Sequence, residues 1–228
     1  MVNISKRTKS NRSSVDRKKI YSVEEAIAIL QNSGKVKFDE TVDVAVNLGI
    51  DPKKGDQAVR GAVSLPHGTG STKRVIAFVK DPEKQEAARA AGAIEVGEGE
   101  LVKKVADGWA DFDVAVAAPD MMGQVGRLGK VLGPQGKMPT PKSGTVTPDV
   151  AKAVAEFAAG KVEFRADAGA TVHAPVGKRS FDAKQIDENL RAFLAALHSL
   201  KPASSRGPYI KKVVITTTMG PGVTVDAN

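Results

Sequence analysis

The sequence contains no cysteine, which excludes disulfides, iron–sulfur clusters, thiolate zinc sites and cysteine nucleophiles. Histidine is nearly as scarce. His67, His173 and His198 stand far apart, and no pair has the i, i+4 spacing of a helical zinc site. Only ten of the 228 residues are aromatic. A core must therefore be built from Ala, Val, Ile and Leu, and a nucleic-acid surface paved with stacking platforms is not expected. No apolar run approaches the ~20 residues that span a bilayer. The opening MVNISKRTKSNRSS is basic without an apolar stretch, so it does not read as a secretory signal. These absences point to a soluble cytoplasmic protein with no membrane partner, no metal site and no cofactor.

Charge is plentiful and unevenly spread. The 34 Lys and Arg exceed the 26 Asp and Glu by 8. Residues 1–20 carry +6, residues 21–66 carry −2, residues 67–159 are neutral and residues 160–228 carry +4. A basic arm can grip a polyanion or simply be solvated, and both readings stand for residues 1–20. Inside the neutral stretch, Arg127, Lys130, Lys137 and Lys142 lie in a segment, 121–148, that has no acid.

The hydrophobic periods suggest two domains. Ser22 and Glu25 form the signature of a capped helix start. Val42, Val44, Val46 and Leu48 alternate as in a half-buried strand, and a second strand runs from Val59 to Leu65. After the loop Pro66–Gly70, short apolar strands and helices alternate: a strand at 74–79, a helix opened by Asp81-Pro82, then strands at 93–96 and 114–117. That is the pattern of a parallel α/β sheet. Residues 121–133 predict a helix. The loop 133–145 follows, with three Gly and three Pro. Strands return at 161–165, 170–173, 213–216 and 223–225, around a long helix capped by Asp182 and ending at Leu200. The expectation is a discontinuous α+β domain, residues 1–66 with 160–228, and an inserted α/β domain, residues 67–159.

Motifs for catalysis fail one after another. Gly68-Thr-Gly70-Ser-Thr-Lys73 has Lys73 where a dinucleotide fingerprint needs its third glycine, and it precedes a strand instead of following one. Gly136-Lys137 lacks the first glycine of a P-loop, and Met138 stands at its Ser/Thr position. No catalytic residue emerges. The Gly/Pro loop can approach a phosphate backbone or serve as a rigid connector. Three other segments offer donors suited to phosphate and ribose. These are Lys37-Phe38-Asp39-Glu40-Thr41, His173 to Phe181 with its adjacent Lys178 and Arg179, and Thr216 to Pro221.

Taken together, KFDETV at 37–42, LGIDPKKGDQAVRGAVSLPHGTG at 48–70, DVAVAAPDMMGQVGRLGKVLGPQGKMPTPKSGTV at 113–146, KVEFRAD at 161–167, HAPVGKRSF at 173–181 and TTTMGPGV at 216–223 resemble the bacterial large-subunit ribosomal protein L-one family, the stalk proteins. The resemblance runs from about Tyr21 to Val225. It implies a non-enzymatic protein that binds large-subunit rRNA and forms the mobile stalk beside the tRNA exit site, and that represses translation of its own operon mRNA. The implied partners are that rRNA, exit-site tRNA and the operon mRNA, with a monomer away from the ribosome. The implied fold is an α+β domain with a Rossmann-like insertion. The implied RNA surface comprises Lys37, Phe38, Thr41, His173, Gly177, Lys178, Ser180, Thr218, Met219 and Gly220, with Arg127, Lys130, Lys137 and Lys142 as a secondary contact. Gln135 and Lys137 depart from the family pattern, in which the basic residue follows Leu-Gly-Pro directly. Two other readings are a nucleotide-using enzyme built on the α/β insertion and a free regulator acting only on mRNA.

Overall fold

A computed structural model describes residues 5–16, 18–34, 36–205 and 207–226. Part of the basic arm, residues 1–4 and Arg17, lies outside the described residues. The chain begins with α1 (Lys6–Ser13) and α2 (Val23–Gln31), then β1 (Thr41–Leu48) and β2 (Arg60–Val63). Next come β3 (Val75–Phe78), α3 (Pro82–Ala90), β4 (Glu95–Gly97), α4 (Gly99–Ala106) and β5 (Val114–Ala117). The short helices α5 (Met122–Val125) and α6 (Gly129–Leu132) precede α7 (Val150–Ala158). The chain closes with β6 (Val162–Arg165), β7 (Thr171–Lys178), α8 (Ala183–Ser199), β8 (Ile210–Thr217) and β9 (Val223–Val225). Two compact units result: residues 1–70 with 162–228, and residues 71–161.

In the first unit an antiparallel sheet has the order β7-β1-β8-β9. Strand β1 alternates strictly, with Val42, Val44, Val46 and Leu48 buried and Thr41, Asp43, Ala45 and Asn47 half-exposed. This is the period-2 pattern of a strand with one face on a core. Helix α8 supplies much of that core. Ile186, Leu190, Phe193 and Leu197 recur at helical spacing and are buried, and Phe193 meets Phe164 of β6 edge-on at 5.3 Å. The start of α8 is closed by Gln185, whose Oε1 accepts from the Asp182 backbone N–H at 3.1 Å. Ser22 Oγ accepts from Glu25 N at the start of α2. The ribbon β2–β6 completes the unit.

The loop 66–70 belongs to this first unit for a visible reason. Asn189 is fully buried on α8. Its side-chain oxygen accepts from His67 N at 3.1 Å, and its amide donates to Gly68 O at 3.0 Å and Val176 O at 2.8 Å. The loop is thereby fixed to α8 and β7.

In the second unit β3 lies between β4 and β5, all parallel. Every residue of β3 is buried, as expected of a strand covered on both faces. The parallel sheet expected from the alternating sequence pattern is present. The single helix expected over 121–133 is not. Two one-turn helices, α5 and α6, alternate there with 3-10 turns at Pro119–Met121 and Gly126–Leu128. Glycines at 123, 126 and 129 explain the break, because each costs about 1 kcal/mol relative to Ala inside a helix. The buried residues Val125, Leu128 and Leu132 still recur every three or four positions, so the core-facing stripe survives.

Candidate nucleic-acid interface

The expected surface residues come from three places in the chain, and the sheet brings most of them to one end. Thr41 opens β1, and its register partner on β7 is Lys178. On the other side, Val42 pairs with Thr217 at the end of β8. Side-chain bonds reinforce this corner. Lys178 Nζ donates to Thr41 Oγ1 at 2.9 Å. Thr41 N donates to Thr218 Oγ1 at 3.1 Å, and Thr218 N returns a bond to Thr41 O at 3.1 Å. Ser180 donates from both N and Oγ to the Asp39 carboxylate, at 3.2 and 2.7 Å.

Solvent finds an unusual surface at this corner. Phe38 is 55% exposed and Met219 is 46% exposed, two of the few large apolar side chains so placed. Lys37 is exposed and has no carboxylate partner among the described residues. An apolar side chain held in water beside cations and hydroxyls can pack on a sugar or base while its neighbours meet phosphate.

The two glycines of the set owe their identity to space. A Cβ on Gly220 would lie 2.1 Å from Thr217 Oγ1, so the turn after β8 closes only without a side chain there. A Cβ on Gly177 would lie 2.9 Å from the Phe181 ring. Gly177 therefore seats Phe181 and is buried, away from the surface.

His173 is not gathered with the rest. It pairs with Ala45, four residues along β1 from Thr41, or roughly 13 Å at the rise of a strand. It is exposed and lies 3.9 Å from Asp167. Between His173 and Lys178 stands Asp43, whose carboxyl is pushed above its usual range by burial, against the opposing pull of Lys178 and His173.

Helix α1 borders the same corner. Its eight residues include four cations and no acid, and among the described residues none of the four pairs with a carboxylate. Asn11 Oδ1 accepts from Gly34 N at 3.1 Å and anchors the helix. Thr8 and Arg12 share a cleft of about 300 Å³ with Met219 and Gly220.

In the second unit Arg127, Lys130 and Lys142 are exposed. Lys137 is turned inward. Its Nζ donates to Ala110 O at 2.9 Å and sits over the Phe112 ring. Among the described residues no group of three or more His, Asp or Glu is placed to hold a metal ion, and no helix is long and apolar enough to cross a membrane. Two residues of the corner are missing from the surface expected from sequence: Glu40, which is buried, and Arg179, which pairs with it. The available signal was an acid inside one segment of the site and a second cation inside another.

The corner is a sheet end that presents cations, hydroxyls and two exposed apolar side chains. The model of the Ribosomal protein L1p/L10e family matches residues 29–221. The chain is 59% identical over 215 residues to the large ribosomal subunit protein uL1 of a Nocardioides species, covering 94% of this chain and 89% of that one. It is 56% identical over 214 residues to the protein of the same name from Clavibacter michiganensis, covering 94% and 93%. The chain belongs to the ribosomal protein L1p/L10e family. It is accordingly a structural, non-enzymatic ribosomal component, located with the ribosome in the cytoplasm.

Proposed function

We propose that the protein binds large-subunit rRNA through the corner of the four-stranded sheet and so builds the mobile stalk beside the tRNA exit site. The observation that carries this reading is the convergence of Lys37, Phe38, Thr41, Lys178, Ser180, Thr218, Met219 and Gly220 at one sheet end. Charge supports it. Residues 1–70 with 162–228 hold 21 Lys and Arg against 14 Asp and Glu, a net +7, whereas residues 71–161 hold 13 against 12, a net +1. The unit with the corner is the one a polyanion attracts.

In this reading Lys37 and Lys178 meet phosphates, while Thr218 and Met219 pack on backbone and sugar. Gly220 lets the turn close and Gly177 seats the ring behind it. His173 forms an outlying contact on the same sheet face. Arg127, Lys130 and Lys142 form a weaker contact from the other unit, toward rRNA or exit-site tRNA, and Lys137 contributes to it only if it leaves Ala110. RNA shape supplies most of the specificity, since few groups here can read base edges. The same surface recognises a matching fold in the operon mRNA, through which the protein represses its own synthesis. Free of the ribosome, the protein is a monomer.

A filter-binding titration against a large-subunit rRNA stalk fragment tests the reading. Binding well above that to random duplex RNA of equal length is expected, and equal affinity for the two would overturn it. Competition by the leader of the operon mRNA tests the regulatory part.

A further inference from the structure

Two charged side chains beside the corner face inward. Glu40 has no exposed side-chain area, and Arg179 keeps 15%. Glu40 Oε2 accepts from Arg179 Nη1 at 2.7 Å, and Glu40 Oε1 accepts from the backbone N–H of Met219 at 3.1 Å. Arg179 Nη2 donates to the carbonyls of Gln31 and Ser33, at 2.6 and 2.7 Å, where α2 ends. The Arg179 backbone N–H donates to Glu40 O at 2.8 Å. One buried pair therefore joins four segments: the end of α2, the approach to β1, the turn after β7 and the turn after β8.

A buried ion pair contributes little net stability over apolar packing, because both charges leave water. What a fully hydrogen-bonded pair does supply is a fixed arrangement of the backbones it touches. One of the backbones it holds is that of Met219, at the tip of the candidate surface. The contrast with the preceding residue is informative. Among the described residues the Lys178 ammonium bonds only to Thr41 Oγ1, which leaves donors for a ligand, whereas both terminal nitrogens of Arg179 are engaged by the protein.

We propose that Glu40 and Arg179 are positioning residues for RNA binding. They hold the Thr218–Gly220 turn against the start of β1 without touching RNA, and of the adjacent cations Lys178 and Arg179 only Lys178 meets a phosphate. The proposal rests on the RNA-binding reading above.

The test uses the full chain and the rRNA stalk fragment, titrated over a series of salt concentrations. Glu40→Gln is expected to weaken binding about tenfold, the scale of one charge-assisted hydrogen bond. In a Met219→Ala background the same change is expected to cost less, because the Met219 side chain is part of what the held turn presents, while the backbone N–H that Glu40 accepts from remains. The doubly neutral variant Glu40→Gln/Arg179→Gln is expected to keep the wild-type slope of log affinity against log salt, whereas Lys178→Ala lowers it by about 0.7–0.9, the loss of one phosphate contact. A reduced slope in the doubly neutral variant, or full additivity of Glu40→Gln with Met219→Ala, would overturn the proposal. If Glu40→Gln fails to show a cooperative thermal transition, the doubly neutral variant replaces it in the cycle. Failure of the wild type to prefer the stalk fragment would instead remove the RNA-binding reading itself, so the two failures are distinguishable.

Discussion

Thr218 and Met219 are where single side chains matter most for the proposed contact. Replacing either by Ala is expected to weaken RNA binding by roughly 1–3 kcal/mol at fixed salt, read by filter binding. The thermal transition should move little for Met219→Ala, whose side chain is exposed, and somewhat more for Thr218→Ala, which also removes the acceptor of the Thr41 N–H. Gly220 behaves differently. A methyl group there meets Thr217 Oγ1, so Gly220→Ala is expected to lower both RNA affinity and the melting temperature, and a variant that lost neither would contradict the close approach. At this scale the sequence disclosed residue types but not their direction. Lys178 and Arg179 are adjacent cations, and only folding shows that one bonds a surface threonine while the other is spent on Glu40 and two carbonyls. Lys137 misleads in the same way: in a Gly/Pro loop it reads as a free cation, yet it bonds Ala110 and covers Phe112.

Secondary-structure elements were more legible. The alternation in β1 and the spacing in α8 each follow from a single buried face, and the structure uses those faces. The interrupted helix at 121–132 was less so, because the apolar spacing and the glycine content of that segment point opposite ways and glycine prevails. Helix α1 was not legible at all. It has no apolar stripe, and its docking depends on Asn11 finding Gly34, a contact across 23 positions of sequence. Two predictions belong here. Asn189→Ala strands polar groups on two segments and is expected to destabilise the first unit by about 1–3 kcal/mol, measured by denaturant unfolding. Asp43, on the half-exposed face of β1, has its carboxyl pKa raised by burial. A group whose pKa is higher folded than unfolded contributes stability at low pH and loses it as pH rises through the folded value. Asp43→Asn is therefore expected to melt higher than wild type at neutral pH. The gap should close below the ordinary carboxylate range, near pH ~4, where both side chains are neutral. An advantage that persisted in acid would indicate a different cause.

At the level of the molecule, the charge difference between the units leads to a deletion experiment. Removing residues 71–161 and joining Gly70 to Val162 through a flexible Gly/Ser linker is expected to leave most of the affinity for the stalk fragment in place, since the corner and the net +7 stay together. A collapse to the level of random RNA would show that the second unit carries the main contact.

The position of β1 also bears on how the protein is made. This strand lies in the first quarter of the sequence, but both its neighbours, β7 and β8, come after residue 170. Until β7 has been translated β1 has neither of its neighbours, whereas the parallel sheet of residues 71–161 can already close from residues that lie near one another in sequence. The proposed RNA corner is completed only once Thr218 to Gly220 have been synthesised. A nascent chain arrested at any earlier codon should therefore be unable to grip RNA specifically.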